Sequence, residues 1–120
     1  MVTYGELKRE ATIHDGATLV GTVALGNADP SMGVAMGVFN PTGLYDPALH
    51  ANDRGGDDVR GYPFVRDLTL RTEGELWPVE ISLMDYSKHL PDDERAREVH
   101  VFFKTWQDWE RFFARAEDEN

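Results

Sequence analysis

The chain of 120 residues contains no cysteine. Disulfide bonds, zinc sites built on thiolates and a cysteine nucleophile are therefore all excluded. Proteins of the reducing cytoplasm typically lack disulfides, so we expect a cytoplasmic location. A single domain, residues 1–120, is long enough to bury a core that folds without a disulfide or a metal.

Long apolar runs are also lacking. No stretch approaches the roughly 18 consecutive apolar residues that a membrane-spanning helix requires. The N-terminal residues MVTYGELKRE lack the apolar segment of a secretion signal. The sequence therefore predicts no membrane association and no export.

Positive charge is scarce, because 12 lysine and arginine residues stand against 22 aspartate and glutamate residues, a net charge of −10. A chain of this sign repels phosphate backbones, so nucleic-acid binding is not expected. The acidic residues are spread along the sequence. They either form a solvated surface or, if folding gathers them on one face, fit a basic protein partner.

Motifs for catalysis are missing as well. No serine lies in a G-x-S-x-G turn, and the glycines of GVAMGVFNPTG match neither a phosphate-binding loop nor a dinucleotide fingerprint. The pair Asp57 and Asp58 lies between glycines but lacks the residue order of a calcium-binding EF-hand. The sequence favours a binding protein over an enzyme, and it predicts no cofactor and no bound metal.

Turn residues between β-favouring runs indicate two hairpins, one at Asp15-Gly16 and one at Glu73-Gly74. A third strand is expected over residues 33–39, ended by Asn40-Pro41, and a last strand over EVHVFFK. Pro78 interrupts one run and predicts an edge strand or a bulge there. The second hairpin is expected to bury Leu68, Leu70, Leu76, Val79, Ile81 and Leu83.

Capping residues indicate two helices. Asp46 precedes Pro47 and predicts a short helix over residues 47–52. Thr105, with Asp108 three positions later, predicts the start of a C-terminal amphipathic helix. Its apolar stripe is expected to comprise Trp106, Trp109, Phe112, Phe113 and Ala116. The predicted fold is α+β, a mainly antiparallel sheet of about six strands (β-β-β-short helix/loop-β-β-β-α) covered by this helix.

Small residues alternate along the third predicted strand. Gly33, Ala35 and Gly37 share one face, opposite Val34 and the other larger side chains. We expect the aromatic residues of the C-terminal helix to fill the space over Gly33 and Gly37. An alanine at either glycine is then expected to overpack the core.

The segment 46–66 joins two strands with little predicted structure, and long loops of this kind are often functional. Arginine and tyrosine, which dominate interface hot spots, are present in it. The candidate binding residues are Tyr45, His50, Arg54, Asp57, Asp58, Arg60 and Tyr62.

Two functions are compatible with these features. The first is a small acidic protein-binding module, inhibitor-like or immunity-like, which uses the 46–66 loop against a basic protein surface. The alternative is a small-ligand-binding protein or a hydrolase-like enzyme with a pocket between the sheet and this loop. That pocket would use His50 with Asp53 or Asp57. A short helix would also bring Asp46, His50 and Asp53 near one face, a set that could bind a metal. A homodimer formed through the edge strand at Pro78 is a further expectation.

Overall fold

The computed structural model describes residues 7–29, 33–52 and 68–118. Within these ranges the chain forms one antiparallel sheet of seven strands, two α-helices and a single 3-10 turn. In chain order the elements are β1 (Lys8–Asp15), β2 (Thr18–Asp29), β3 (Val34–Pro41), α1 (Pro47–His50), β4 (Leu68–Thr72), β5 (Glu75–Trp77), β6 (Val79–Asp85), the 3-10 turn (Glu94–Ala96), β7 (Arg97–Phe103) and α2 (Trp106–Asp118).

The sheet is curled, and Pro78 shows why. The strand order is β5-β4-β1-β2-β3-β7-β6, so β5 and β6 lie at opposite edges although only Pro78 separates them in the chain. Two such strands can reach opposite edges only if the sheet curls until its edges approach, and β4 does lie close to β6. Proline has no N–H to continue a ladder, so the pairing with β4 ends there and β6 joins β7 instead. The predicted edge at Pro78 is confirmed, and the predicted fifth strand is divided into β5 and β6.

Both predicted hairpins are confirmed, and their turns have the required backbone geometry. Gly16 has a φ of 60°, and the β4–β5 turn has positive φ at both Glu73 (45°) and Gly74 (86°). Positive φ at both central positions matches the right-handed twist of the flanking strands. Glycine accommodates this geometry readily, and Glu73 adopts it beside Gly74.

The core lies on the concave side of the sheet. Alternate residues of each strand point there, as Ile13, Leu70 and Val101 illustrate, each essentially without exposed surface. Helix α2 covers this side, with the Phe112 ring centroid 5.1 Å from that of Trp77 and the Trp109 indole donating a hydrogen bond to the Val34 carbonyl. The antiparallel sheet covered by a C-terminal helix is therefore as predicted.

In the described ranges no helix has both the length and the apolar character needed to cross a membrane.

A buried arginine joins the helix to the sheet. Arg9 is 7% exposed, and its guanidinium lies 4.7 Å from the Phe112 ring centroid and 5.5 Å from that of Trp77. It donates hydrogen bonds to the Phe112 carbonyl and to the Thr72 hydroxyl. The cation is thus held by ring faces and by acceptors, which offset its loss of water.

Two predicted core residues are exposed instead. Trp106, expected in the buried stripe, is 54% exposed because α2 begins right after the short connection that follows β7, at the rim of the sheet. Leu76, expected inside the second hairpin, is 57% exposed. Its neighbour Trp77 points to the core, so the alternation along β5 turns Leu76 outward.

The expectation that helix aromatics lie over Gly33 and Gly37 is wrong. A Cβ at Gly37 would overlap the carbonyl oxygen of Ala24 on the adjacent strand β2. At Gly33, which has a φ of +64°, the nearest atom would be the Phe103 carbonyl oxygen at 3.6 Å. Gly37 therefore serves the close approach of two strands rather than the packing of α2.

Candidate functional site

Two of the seven predicted binding residues lie at one end of the curled sheet. The β1–β2 turn, the segment from β3 through α1, and the β6–β7 connection all lie there, because the strands are antiparallel. We call this region the α1 end. It contains Tyr45 and His50, two of the seven predicted binding residues. The other five, Arg54, Asp57, Asp58, Arg60 and Tyr62, lie outside the described residues.

The His50 ring is buried, with 4% of its residue surface exposed, and both of its nitrogens are engaged. Nδ1 accepts a hydrogen bond from the Asp46 backbone N–H at 3.0 Å, and Nε2 lies 3.1 Å from the Asp15 carboxylate. Since a backbone N–H can only donate, the ring proton is on Nε2 and points to Asp15. A metal ligand or a general base needs a nitrogen that faces its target, and this arrangement presents none.

The aspartate expected to work with His50 has a different role. Asp46 is the N-cap of α1, and its carboxylate accepts from the Ala48 backbone N–H at 2.9 Å, as the capping pattern predicts. Asp53 lies outside the described residues. Among the residues that the structure does describe, no group of three or more acidic or histidine side chains could hold a metal ion.

Tyr45 joins α1 to the far strands of the sheet. Its ring stacks on His50 with centroids 5.7 Å apart and meets Phe39 edge-on at 5.2 Å. Its hydroxyl donates a 2.6 Å hydrogen bond to Asp85, which is only 3% exposed. Tyr45 therefore holds the segment that leads into α1 against the core.

Asp85 is held ionised inside the protein. Burial by itself raises the pKa of a carboxyl group, but hydrogen bonds from Ser87 and Tyr45, together with the charge of Arg97, bring the pKa of Asp85 below its ordinary value. The Ser87 backbone N–H lies 2.9 Å from one carboxylate oxygen, and Arg97 Nε lies 3.3 Å from the other. The sequence contained a sign of this residue, because Asp85 continues the inward alternation of Ile81 and Leu83.

Asn52, the last described residue before residues 53–67, is hydrogen-bonded to strand β6. Its backbone N–H donates to the Leu83 carbonyl at 2.8 Å, and its side-chain oxygen accepts from the Leu83 N–H at 3.0 Å. With Tyr45 on Asp85 and His50 on Asp15, the segment 45–52 is attached to the sheet at three points. Asn52 is therefore held in a fixed position on the sheet.

Three leucines at the α1 end are exposed. Leu44 is 65% exposed and Leu90 47%, and both lie in connections; Leu49, in α1, is 45% exposed. Leu90 lines a shallow, open depression together with the exposed carboxylates Asp92 and Asp93. Where such apolar side chains form one patch bordered by polar residues, they mark a protein-binding surface.

The chain was compared with protein-family models, with curated proteins and with solved structures, and none of them matches it.

Proposed function

We propose that the protein is a small protein-binding module, inhibitor-like or immunity-like, whose α1 end and 46–66 segment contact a basic surface of a partner protein. The observation that carries the proposal is the contrast at this end between polar side chains bonded within the chain and apolar side chains that are exposed. The polar side chains of Tyr45 and His50 are engaged internally, whereas Leu44, Leu49 and Leu90 are exposed. A fixed platform with exposed apolar residues suits binding better than proton transfer.

Charge supports the choice of a basic partner. The chain has a net charge of −10, and the side chains of Asp92 and Asp93 lie near the exposed Leu90. Complementary charge speeds association and selects the partner more than it adds affinity. The cytoplasmic location, expected from the absence of cysteine, remains part of this proposal.

The alternative, a small-ligand or metal-dependent site at His50, has less support, because both ring nitrogens are engaged within the chain. Metal analysis of the purified protein tests it directly. Stoichiometric metal that is lost in His50→Ala, with little change in melting temperature, would restore the alternative.

The test of the proposal compares exposed leucines. Chemical cross-linking in cells and mass spectrometry identify proteins that the wild-type chain contacts, and these are then titrated against purified variants. Leu49→Ser and Leu90→Ser are expected to weaken binding, whereas Leu76→Ser, an exposed leucine on β5 outside the α1 end, is the matched control. The association rate is expected to fall as salt rises. Equal binding by all three variants, or a rate independent of salt, would count against the proposal.

A further inference from the structure

A second surface lies on the convex side of the sheet, across β3, β7 and β6. In the register of these strands Met36 is opposite His100, Val38 is opposite Glu98, and Glu98 is opposite Met84. Phe102 follows His100 on the same face of β7. We call the six residues Met36, Val38, Met84, Glu98, His100 and Phe102 the outer patch.

The outer patch is unusually apolar for the solvent side of a sheet. An antiparallel sheet with one face on the core normally alternates apolar residues inward and polar residues outward. Here Phe102 is 37% exposed, and Met36, Val38 and Met84 are half-buried. The buried aromatics of α2 pack on the opposite, concave side, against residues such as Trp77. Apolar side chains that lie among polar ones on an exposed sheet face are a feature of interaction sites.

A hydrogen-bonded pair, His100 and Glu98, lies among these apolar side chains, and Ser82 is opposite His100. His100 Nε2 is 2.7 Å from a carboxylate oxygen of Glu98, and the two side chains are 27% and 24% exposed. Glu80, opposite Phe102, adds a second carboxylate at the border of the patch. The outward positions of β3, β6 and β7 contain no lysine and no arginine. The surface therefore combines apolar contact area with negative charge.

This combination selects one class of occupant. A second copy of the chain would bring the same carboxylates against Glu98 and Glu80, and like charges placed together in an interface are unfavourable. Anionic lipid and nucleic acid are repelled by a chain with a net charge of −10. A protein segment with lysine or arginine beside apolar side chains satisfies both features of the surface.

We propose that the outer patch docks a basic, apolar segment of a partner protein. Phe102 and the two methionines supply contact area, since flexible methionine side chains adapt to a partner. Glu98 receives the basic group. The outer patch is separate from the exposed leucines of the α1 end, so this proposal and the proposed function can fail independently.

The experiment uses a displayed library of random linear peptides, selected on the intact immobilised protein. Wild-type protein is expected to enrich peptides that place lysine or arginine next to apolar residues. The best peptide, synthesised and titrated by calorimetry, is expected to bind at least about tenfold more weakly to Phe102→Ser and to Glu98→Lys. Two matched controls, Leu76→Ser and Glu10→Lys, exchange exposed residues outside the patch and are expected to retain wild-type affinity.

Several results would overturn the inference. One is a failure to enrich peptides above a bare surface, and another is enrichment of acidic or uncharged peptides. Equal affinity of Phe102→Ser and wild type, with unchanged thermal unfolding, would do the same. Loss of peptide binding in Leu49→Ser would move the peptide to the α1 end. A dimer in light scattering that Phe102→Ser dissociates would identify a second copy as the occupant.

Discussion

The convex side of the sheet has two halves that differ although they belong to one continuous ladder. On β1 and β4 the outward residues are polar, with Thr12 opposite Arg71, and they line a depression of about 160 Å³. On β3 and β7 the outward residues include Met36 and Phe102, which belong to the outer patch. The concave side beneath both halves is lined mainly by core residues such as Leu70 in β4 and Leu83 in β6.

The difference leads us to expect that the fold does not depend on the apolar outward side chains of β3, β6 and β7. Strands β1 and β4 belong to the same curled sheet with threonine and charged residues outside, and Leu76 on the neighbouring strand β5 is an exposed apolar exception. Exposed apolar surface is disfavoured in a soluble monomer and is retained where it contacts something else. The contrast between the halves is therefore an argument for binding. It can be tested by measuring how substitutions of inward and of outward residues change the free energy of unfolding.

The largest effect is expected from the concave side of each half. Leu70→Ala in β4 and Leu83→Ala in β6 remove side chains with no exposed surface. Each is expected to lower the free energy of unfolding by about 2–5 kcal/mol, since a cavity remains where the side chain was. Urea unfolding measures both values. The outward control Met84→Ser, next to Leu83, is expected to cost less than about 1 kcal/mol, and a cost equal to that of Leu83→Ala would mean that the outer patch serves the fold.

A smaller effect is expected at the buried carboxylate beneath the apolar half. Tyr45→Phe removes the hydroxyl that donates to Asp85 and is expected to lower stability by about 1–3 kcal/mol at neutral pH. The folded-state pKa of Asp85 lies below its ordinary value of 3.8, so the native state binds fewer protons than the unfolded state. The stabilisation is therefore fully present above pH 3.8 and is lost as the pH falls through the lowered folded-state pKa.

The pH dependence supplies the check on that interpretation. The stability difference between wild type and Tyr45→Phe, followed by urea unfolding, is expected to shrink in acid, because a protonated Asp85 gains less from the tyrosine. In an Asp85→Asn background the stability difference caused by Tyr45→Phe is expected to be independent of pH. A difference that stays constant in the wild-type background would show that Tyr45 acts through packing alone.

The smallest effect concerns the polar half, where His14 has a buried Nδ1 with no hydrogen-bond partner among the described residues. Burial, followed by the nearby charge of Arg71, lowers the pKa of His14 below its ordinary value of 6.5. Proton NMR is expected to show His14 titrating below that value, and Arg71→Ala is expected to move it part of the way back. Arg71→Lys, which keeps the charge, is the control. A His14 titration above 6.5 would contradict the assignment.

His14 also links pH to stability with a defined sign. Its folded-state pKa is lowered, so the unfolded chain takes up protons first as the pH falls below 6.5. The contribution of His14 is therefore present above that pH and is lost as the pH falls through the folded-state pKa.

Much of the local structure followed from short patterns in the sequence. Asp46 caps α1 and Thr105 caps α2, as the spacing of their partners predicted. Gly16 and Gly74 form the two expected turns. These features depend on backbone geometry within a few residues, which a single sequence displays directly.

The candidate site was harder to foresee. The sequence proposed His50 as a site residue, but its hydrogen-bond partner Asp15 is 35 residues away, and Tyr45 meets Asp85 across 40 residues. Spacing along the chain had suggested Asp46 and Asp53 instead. Contacts of this kind depend on which strands become neighbours, and no local pattern encodes that choice.

The sequence by itself determined the turns, the caps, the alternation of each strand and the acidic charge, because each of these is a property of adjacent residues. Only the tertiary structure decided that Pro78 divides one run between two edges, which curls the sheet. The tertiary structure also buried Asp85 among its hydrogen-bond donors, brought Gly37 close to β2, and placed Met36 and Phe102 on one face of the sheet. Those outcomes depend on strand order and register, which arise from packing the whole chain at once.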